Sequence, residues 1–258
     1  MLSFSIPLIP FNLSYWLKDS LDRLILSGIS QLYNTGIYQI AVSFGGTLNM
    51  GTQAFYTANT PRFFALLKDK SANEHSVIAV MPVSAACFSV LAFGMSLFAQ
   101  EIISLLTTKN YHEAALYVPF VVTSTVVFLI YSNVVNVLYN HSATKIIAVI
   151  SVGASLVSAA LSFFLIKYLT ILGAALSLIC SNLILSLSFY FVAQHMEKMK
   201  WPLGKTLVLS LLPLLAIVVL RGVSGFSIII TCASKIVIIA AYSLGCFFSV
   251  KKEIKAIM

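Results

Sequence analysis

The sequence predicts an all-α fold, a polytopic bundle of about eight transmembrane helices. Apolar residues make up 59% of the 258 positions, whereas Asp, Glu, Lys and Arg together make up 9%, against roughly 25% in a soluble domain. The mean hydropathy is +0.97. A water-soluble globule has no place for that much apolar surface, so lipid has to solvate it. The apolar residues also run continuously. The strands of a transmembrane barrel would instead be short, would alternate, and would face a polar lumen.

A hydrocarbon core of about 30 Å takes roughly 20 residues of helix. Apolar runs of that size, divided by charge, Gly or Pro, fall at 4–28, 36–58, 77–98, 114–139, 146–166, 171–192, 203–220 and 226–250. They leave no room for an extramembrane domain, which puts function within the helices. Residues 1–195 read as a six-helix transmembrane lobe and 196–258 as two additional C-terminal helices. The 203–220 run is short and carries Lys205 and Pro213, so it fits either a span or an interfacial or re-entrant segment. Pro7, Pro10, Pro82 and Pro119 fall within spans, where each removes a helix hydrogen bond. The freed carbonyls suit a cavity, although proline is also simply frequent in membrane helices.

Net charge is +8. In a chain this apolar the excess reflects topology and calls for no nucleic acid. One side of the eight-span arrangement collects ten basic residues, Arg62, Lys68, Lys70, Lys145, Lys198, Lys200, Lys205, Lys251, Lys252 and Lys255, and the other holds Lys109, Lys167 and Arg221. The rich side is expected to be cytoplasmic, with both termini on it. Cys87, Cys180, Cys232 and Cys246 lie in apolar stretches without paired spacing, so neither a disulfide framework nor a metal site is expected.

Ionisable and amide side chains inside spans are the candidates for function. The first span ends WLKDSLDRLIL, where Lys18 to Asp22 and Asp19 to Arg23 stand four apart. These charges either neutralise one another as a structural cluster, or Asp22 and Arg23 face a polar cavity. In the second span Ser43, Thr47, Met50 and Gln53 recur near helical spacing and lead to Asn59, Thr60, Pro61 and Arg62. That stripe lines a cavity or is buried among helices. In the fourth, Asn133, Asn136 and Asn140 stand three and four apart beside Tyr139. Such amides must face protein, water or ligand, and a common cleft with Arg23 and Arg62 is the expectation. Lys235 in the last span is packed, snorkelled or functional. No GxSxG, Walker A or HExxH motif occurs, and His75, His112, His141 and His195 lie at loop edges, so no catalytic residues, enzyme activity, metal or cofactor are expected.

The order of several segments points to a family. SIPLIPFNLSYWLKDSLDRLIL, GIYQIAVSFGG and TPRFF, followed by YHEAALYVPFVVTSTVV, TKIIAVISV and ILGAALSLICSNLI, together resemble the oligosaccharide flippases. That family moves lipid-linked O-antigen or capsule repeat units and falls within the MATE/oligosaccharidyl-lipid/polysaccharide exporter superfamily. The resemblance covers roughly residues 3 to 195. It departs in LIKYLTILGAA, where Lys167 stands in the place of a proline and Thr170 in that of a glycine. Such flippases have two facing six-helix lobes, and this chain resembles the second.

The resemblance implies that a polyprenyl-diphosphate-linked oligosaccharide is moved across a bacterial inner membrane. Asp22, Arg23, Arg62, Asn133, Asn136, Tyr139 and Asn140 would line the substrate cavity, and Asp19 or Asp22 would sense an ion gradient. A first lobe would come from another chain or from a longer reading frame, and a glycan polymerase is a further implied partner. The rival expectations are an integral-membrane polymerase or acyltransferase of the same glycan, and a partner subunit that does not itself transport.

The ten-to-three basic asymmetry fixes a topology. Reporter fusions after Lys70, Lys109 and Lys200 should read inside, outside and inside, and an inside signal at Lys109 would refute the arrangement.

Overall fold

A computed structural model describes residues 8–68, 74–217 and 228–257. Among them there is no strand. The elements are α1 Leu8–Ile29, α2 Leu32–Lys68, α3 Glu74–Leu106, a 3-10 segment Lys109–Leu116, α4 Val118–Asn140, α5 Thr144–Met196, α6 Leu203–Leu211 with a 3-10 turn Leu212–Leu214, and α7 Ile228–Ile257. Helices α3, α4, α5 and α7 are each long and apolar enough to cross a membrane.

Helix α5 has 53 residues, more than twice what one crossing needs. It is in fact two helices joined at Thr170, whose φ of 50° and ψ of −121° break the helical path. The halves fold back on each other, because Ala154 of the first shares an apolar cluster with Leu185 and Phe189 of the second. The expected spans 146–166 and 171–192 are these two rods. Gly173 permits the tight reversal, since a Cβ there would lie 2.1 Å from the Leu165 carbonyl oxygen. Thr170 itself occupies backbone space that suits glycine, and a β-branched residue held there stores roughly 1–3 kcal/mol of strain.

Small polar residues set the packing. Ser151, Ser155, Ser158 and Ser162 recur along one face of the first half of α5, with Ser177, Ser181 and Ser186 on the second, and all are buried. Side chains this small let helices approach closely and let hydroxyls reach a neighbour's carbonyl. Ser155 Oγ donates to the Ser14 oxygen of α1 at 3.3 Å. Asn182 Nδ2 donates to the Ser124 oxygen at 2.9 Å, and Ser186 Oγ to the Val127 oxygen at 3.2 Å. Those two bonds advance together, so α4 and the second half of α5 run in the same sense. Their far ends meet where His141 Nε2 lies 3.0 Å from Glu197 Oε1. Helix α4 is the centre of the bundle: 89% of its apolar stretch is buried, against 17% for α7.

The C-terminal elements lie along α3. Leu209, Cys246 and Val250 cluster with Ala85 and Ala86, and Ala216 clusters with Phe93 and Leu97. The 203–217 rod therefore advances beside a spanning helix instead of lying across it, which disfavours the interfacial alternative; the rest of the 203–220 run lies outside the described residues. Helix α7 returns antiparallel. Tyr242 stacks on Phe93 and Lys235 Nζ donates to Glu101 Oε1 at 2.5 Å. Lys235 is 3% exposed and sits over the Phe98 ring, so its packed reading is the one the structure has. Lys205 Nζ ties the other end, donating to Glu253 Oε1 at 2.6 Å and to the Ser249 carbonyl oxygen.

Two expectations are corrected. Pro119 occupies the first turn of α4, where its missing N–H would have had no helical partner, so it removes no bond. Pro61, read from sequence as part of a helix end, lies inside α2, which continues to Lys68.

Replacing Thr170 with glycine should stabilise the chain by about 1 kcal/mol by releasing backbone strain. Gly173→Ala should lower the melting temperature sharply, because the added carbon meets main chain that cannot rotate away. Thermal melts of purified protein in detergent check both directions.

Candidate functional site

Three clefts adjoin α2, and the sequence-predicted residues divide among them. The first is narrow, lies between α2, α3 and α4, and is lined by Arg62, Asn133 and Asn136 together with Tyr56, Asn59 and Ser132. The second is lined by Arg23, Tyr38, Asn49, Ser124, Thr125 and Asn182. The third, the roomiest of the three, takes Tyr139 with Asn12, Gln53, Tyr56, Tyr131 and Ser132. Arg23 and Arg62 therefore do not share a cleft. They stand near opposite ends of antiparallel sequence runs, Arg23 with the Gly45 to Asn49 level of α2 and Arg62 more than three turns further on.

The amides of α4 bridge helices. Asn136, 4% exposed, accepts a hydrogen bond at Oδ1 from the Tyr56 hydroxyl at 2.9 Å, which joins α2 to α4. Asn133 Nδ2 donates to the Leu129 oxygen of its own helix at 2.7 Å and reaches Ser84 Oγ of α3 at 3.5 Å. Asn140 is exposed at the last residue of α4 and lines none of the three clefts. The spacing put it on the right face, but the helix ends there.

Asp22 lies on another face of α1. It is 3% exposed, accepts a hydrogen bond from Ser177 Oγ at 3.3 Å, and lines none of the three clefts. Consecutive residues of a helix point about 100° apart, so with Asp22 turned into the α1–α5 contact its neighbour Arg23 faces the cleft. The Lys18 and Asp19 side chains lie outside the described residues, and with them the expected pairs within the first span and the ion-sensing role given to Asp19.

Helix α2 shows two faces. Gly45 presses against α4, where a Cβ would lie 2.6 Å from Val121 Cγ1. The other side exposes Gln39, Ser43, Gly46, Thr47, Met50, Gln53, Ala54, Thr57 and Ala58. Met50 is its one large apolar residue in that stretch. Elsewhere the exposed surface is what lipid requires, as with Val149, Leu156, Val157, Phe163 and Phe164 on α5. Ser43, Thr47 and Thr57 return their hydroxyls to carbonyls four residues back, which makes them tolerable in lipid. The exposed amides of Gln39 and Gln53 have no such local solution, and they mark this face as one that meets water or protein.

Sequence reasoning missed Tyr56, Asn49, Asn182 and Glu101. Asn182 had a signal, a lone amide within ICSNLIL; Glu101 had none, standing just past the apolar run that defined its span.

No family model matches the chain, and no solved structure matches it. The chain is 23% identical over 202 residues to a protein named Lsg locus putative protein 1 from Haemophilus influenzae, an alignment covering 77% of this chain and 49% of that protein. The chain thus spans about half the length of the curated relative it matches.

The Tyr56–Asn136 bond should couple α2 to α4 by about 0.6 kcal/mol, the usual size for interhelical bonds in membranes and at most roughly 1.7. A double-mutant cycle of Tyr56→Phe and Asn136→Leu, read by unfolding in mixed micelles, measures it; strict additivity would show that the bond contributes nothing.

Proposed function

We propose that this chain forms one lobe of a transporter that moves polyprenyl-diphosphate-linked oligosaccharides across a bacterial inner membrane for surface-glycan assembly, with its basic loops and both termini in the cytoplasm. The observation that carries the reading is the exposed face of α2. Its glutamines, hydroxyls and small residues run along a helix whose neighbours present bulky apolar side chains to lipid. A second lobe, from another chain or from a longer reading frame, would oppose that face, and the sugar headgroup would pass between the two. The ordered segment resemblance to oligosaccharide flippases supports the same reading. The Haemophilus relative's name states a locus and no activity.

Within this scheme the Arg23 cleft is the anion site of the pathway. It joins a guanidinium to the amides of Asn49 and Asn182 and the hydroxyls of Tyr38, Ser124 and Thr125, and a guanidinium grips phosphate through paired N–H donors. The third cleft shares Phe128 with it and extends the polar surface towards Tyr139. In this reading Asp22, buried in the α1–α5 contact beside Arg23, responds to an ion gradient.

The test is complementation in a cell that lacks its own flippase, with this chain co-expressed with a first-lobe chain and surface glycan scored. Ala54→Trp on the α2 face should abolish glycan display, while Leu156→Trp on the lipid face should leave it intact. Equal tolerance of both, or full rescue by residues 1–258 acting as a monomer, would overturn the reading.

A further inference from the structure

The third cleft differs in chemistry from the two that hold arginines. Phe128, Tyr131, Ser132, Val135 and Tyr139 stand at i, i+3, i+4, i+7 and i+11 of α4, so a single face of that helix makes one wall. Gln53 and Tyr56 of α2 make a second, and Asn12 of α1 closes it. The cavity measures about 260 Å³, the space of roughly nine waters at ~30 Å³ each, which accommodates one hexose with its hydroxyls.

Part of the lining serves the core. Tyr131 meets Phe128 and Phe189 ring to ring, and the Tyr56 hydroxyl is engaged by Asn136. Gln53 and Tyr139 are not so committed. Among the described residues neither the Gln53 amide nor the Tyr139 hydroxyl is hydrogen-bonded, and Gln53 is exposed on the polar face of α2. Aromatic faces with amides and hydroxyls between them match a pyranose. Its ring C–H groups carry partial positive charge and lie against the negative face of an aromatic ring, while its hydroxyls both donate and accept, as an amide does. No Asp, Glu, Lys, Arg or His is among the described residues lining the cleft, so the carboxylate of an acidic sugar would lose water there without gaining a cation. We propose that this cleft is a saccharide subsite that takes a neutral pyranose, its ring against Tyr139 and its polar substituents on the Gln53 amide. The inference rests on the transport reading above, in which the sugar headgroup passes along this side of α2.

Equilibrium binding to the purified full chain, in a detergent that carries no sugar, tests it. The ligands are farnesyl diphosphate, the same lipid bearing N-acetylglucosamine, and the same lipid bearing glucuronic acid. N-acetylglucosamine should tighten binding about tenfold over the bare diphosphate, the size of one ring contact and one hydrogen bond together, and glucuronic acid should not. Tyr139→Leu and, independently, Gln53→Leu at an exposed position should each remove most of that gain, whereas Tyr139→Phe, which keeps the ring, and Leu156→Trp on the lipid face should retain it. Equal binding with and without the neutral sugar, a gain from glucuronic acid as large, or a gain that survives in whichever of the two leucine variants folds would overturn the subsite alone. Failure of all three ligands to bind would overturn the transport reading with it.

Discussion

Hydrogen bonds from small side chains to the main-chain carbonyls of neighbouring helices hold this bundle in one arrangement. In lipid the apolar effect does not favour helix contact, because a leucine is as well solvated by acyl chains as by another helix. Specificity then falls to shape and to polar groups that must find partners inside the protein. Ser155, Asn182 and Ser186 each reach a carbonyl on another helix, and they fix the two halves of α5 against α1 and α4. Helix α4, clasped from several sides, becomes the reference against which α2 and α3 are set.

The peripheral elements use stronger and sparser contacts. Helix α7 is mostly exposed, yet Lys235 with Glu101 and Lys205 with Glu253 pin it near both ends. A buried ion pair contributes little net stability beside a well-packed apolar pair, but removing one partner leaves an uncompensated charge at several kcal/mol. Such pairs therefore define where a helix sits more than how tightly it is held. The stacked rings of Phe93 and Tyr242, with Ser89 hydrogen-bonded to the Tyr242 hydroxyl, fix the middle of the same helix.

The spans were legible because continuous apolarity survives any packing arrangement. The reversal in α5 was legible too, through charge and glycine around Thr170. The ends of α2 were not: the helix continues through Pro61 because tertiary packing of Phe63 and Leu66 against α3 and α4 outweighs the lost bond. The candidate site was legible as residue types and not as a place. Asn133, Asn136 and Arg62 do meet, but Arg23 faces another cleft and Asp22 none, because neighbouring positions on a helix diverge and a sequence does not say which face the partners occupy. The division between lipid-facing and polar surface could be drawn only once burial was known, since Ser, Thr and Gly are common in both.

The reversal at Thr170 also bears on how the chain enters a membrane. Helices joined by a hydrophilic loop can be inserted one after another, with the loop held in water between events. Here the halves of α5 are joined with no such loop, and in the proposed orientation Lys167, exposed near the turn, is the charge that would cross. Neither half presents its serine face to lipid without a partner. The two rods are therefore best delivered together, as a closed hairpin whose single cation leads and whose polar seam is already sealed when it reaches the acyl chains. Biogenesis and final packing then share one requirement, the glycine that lets the second rod lie against the first.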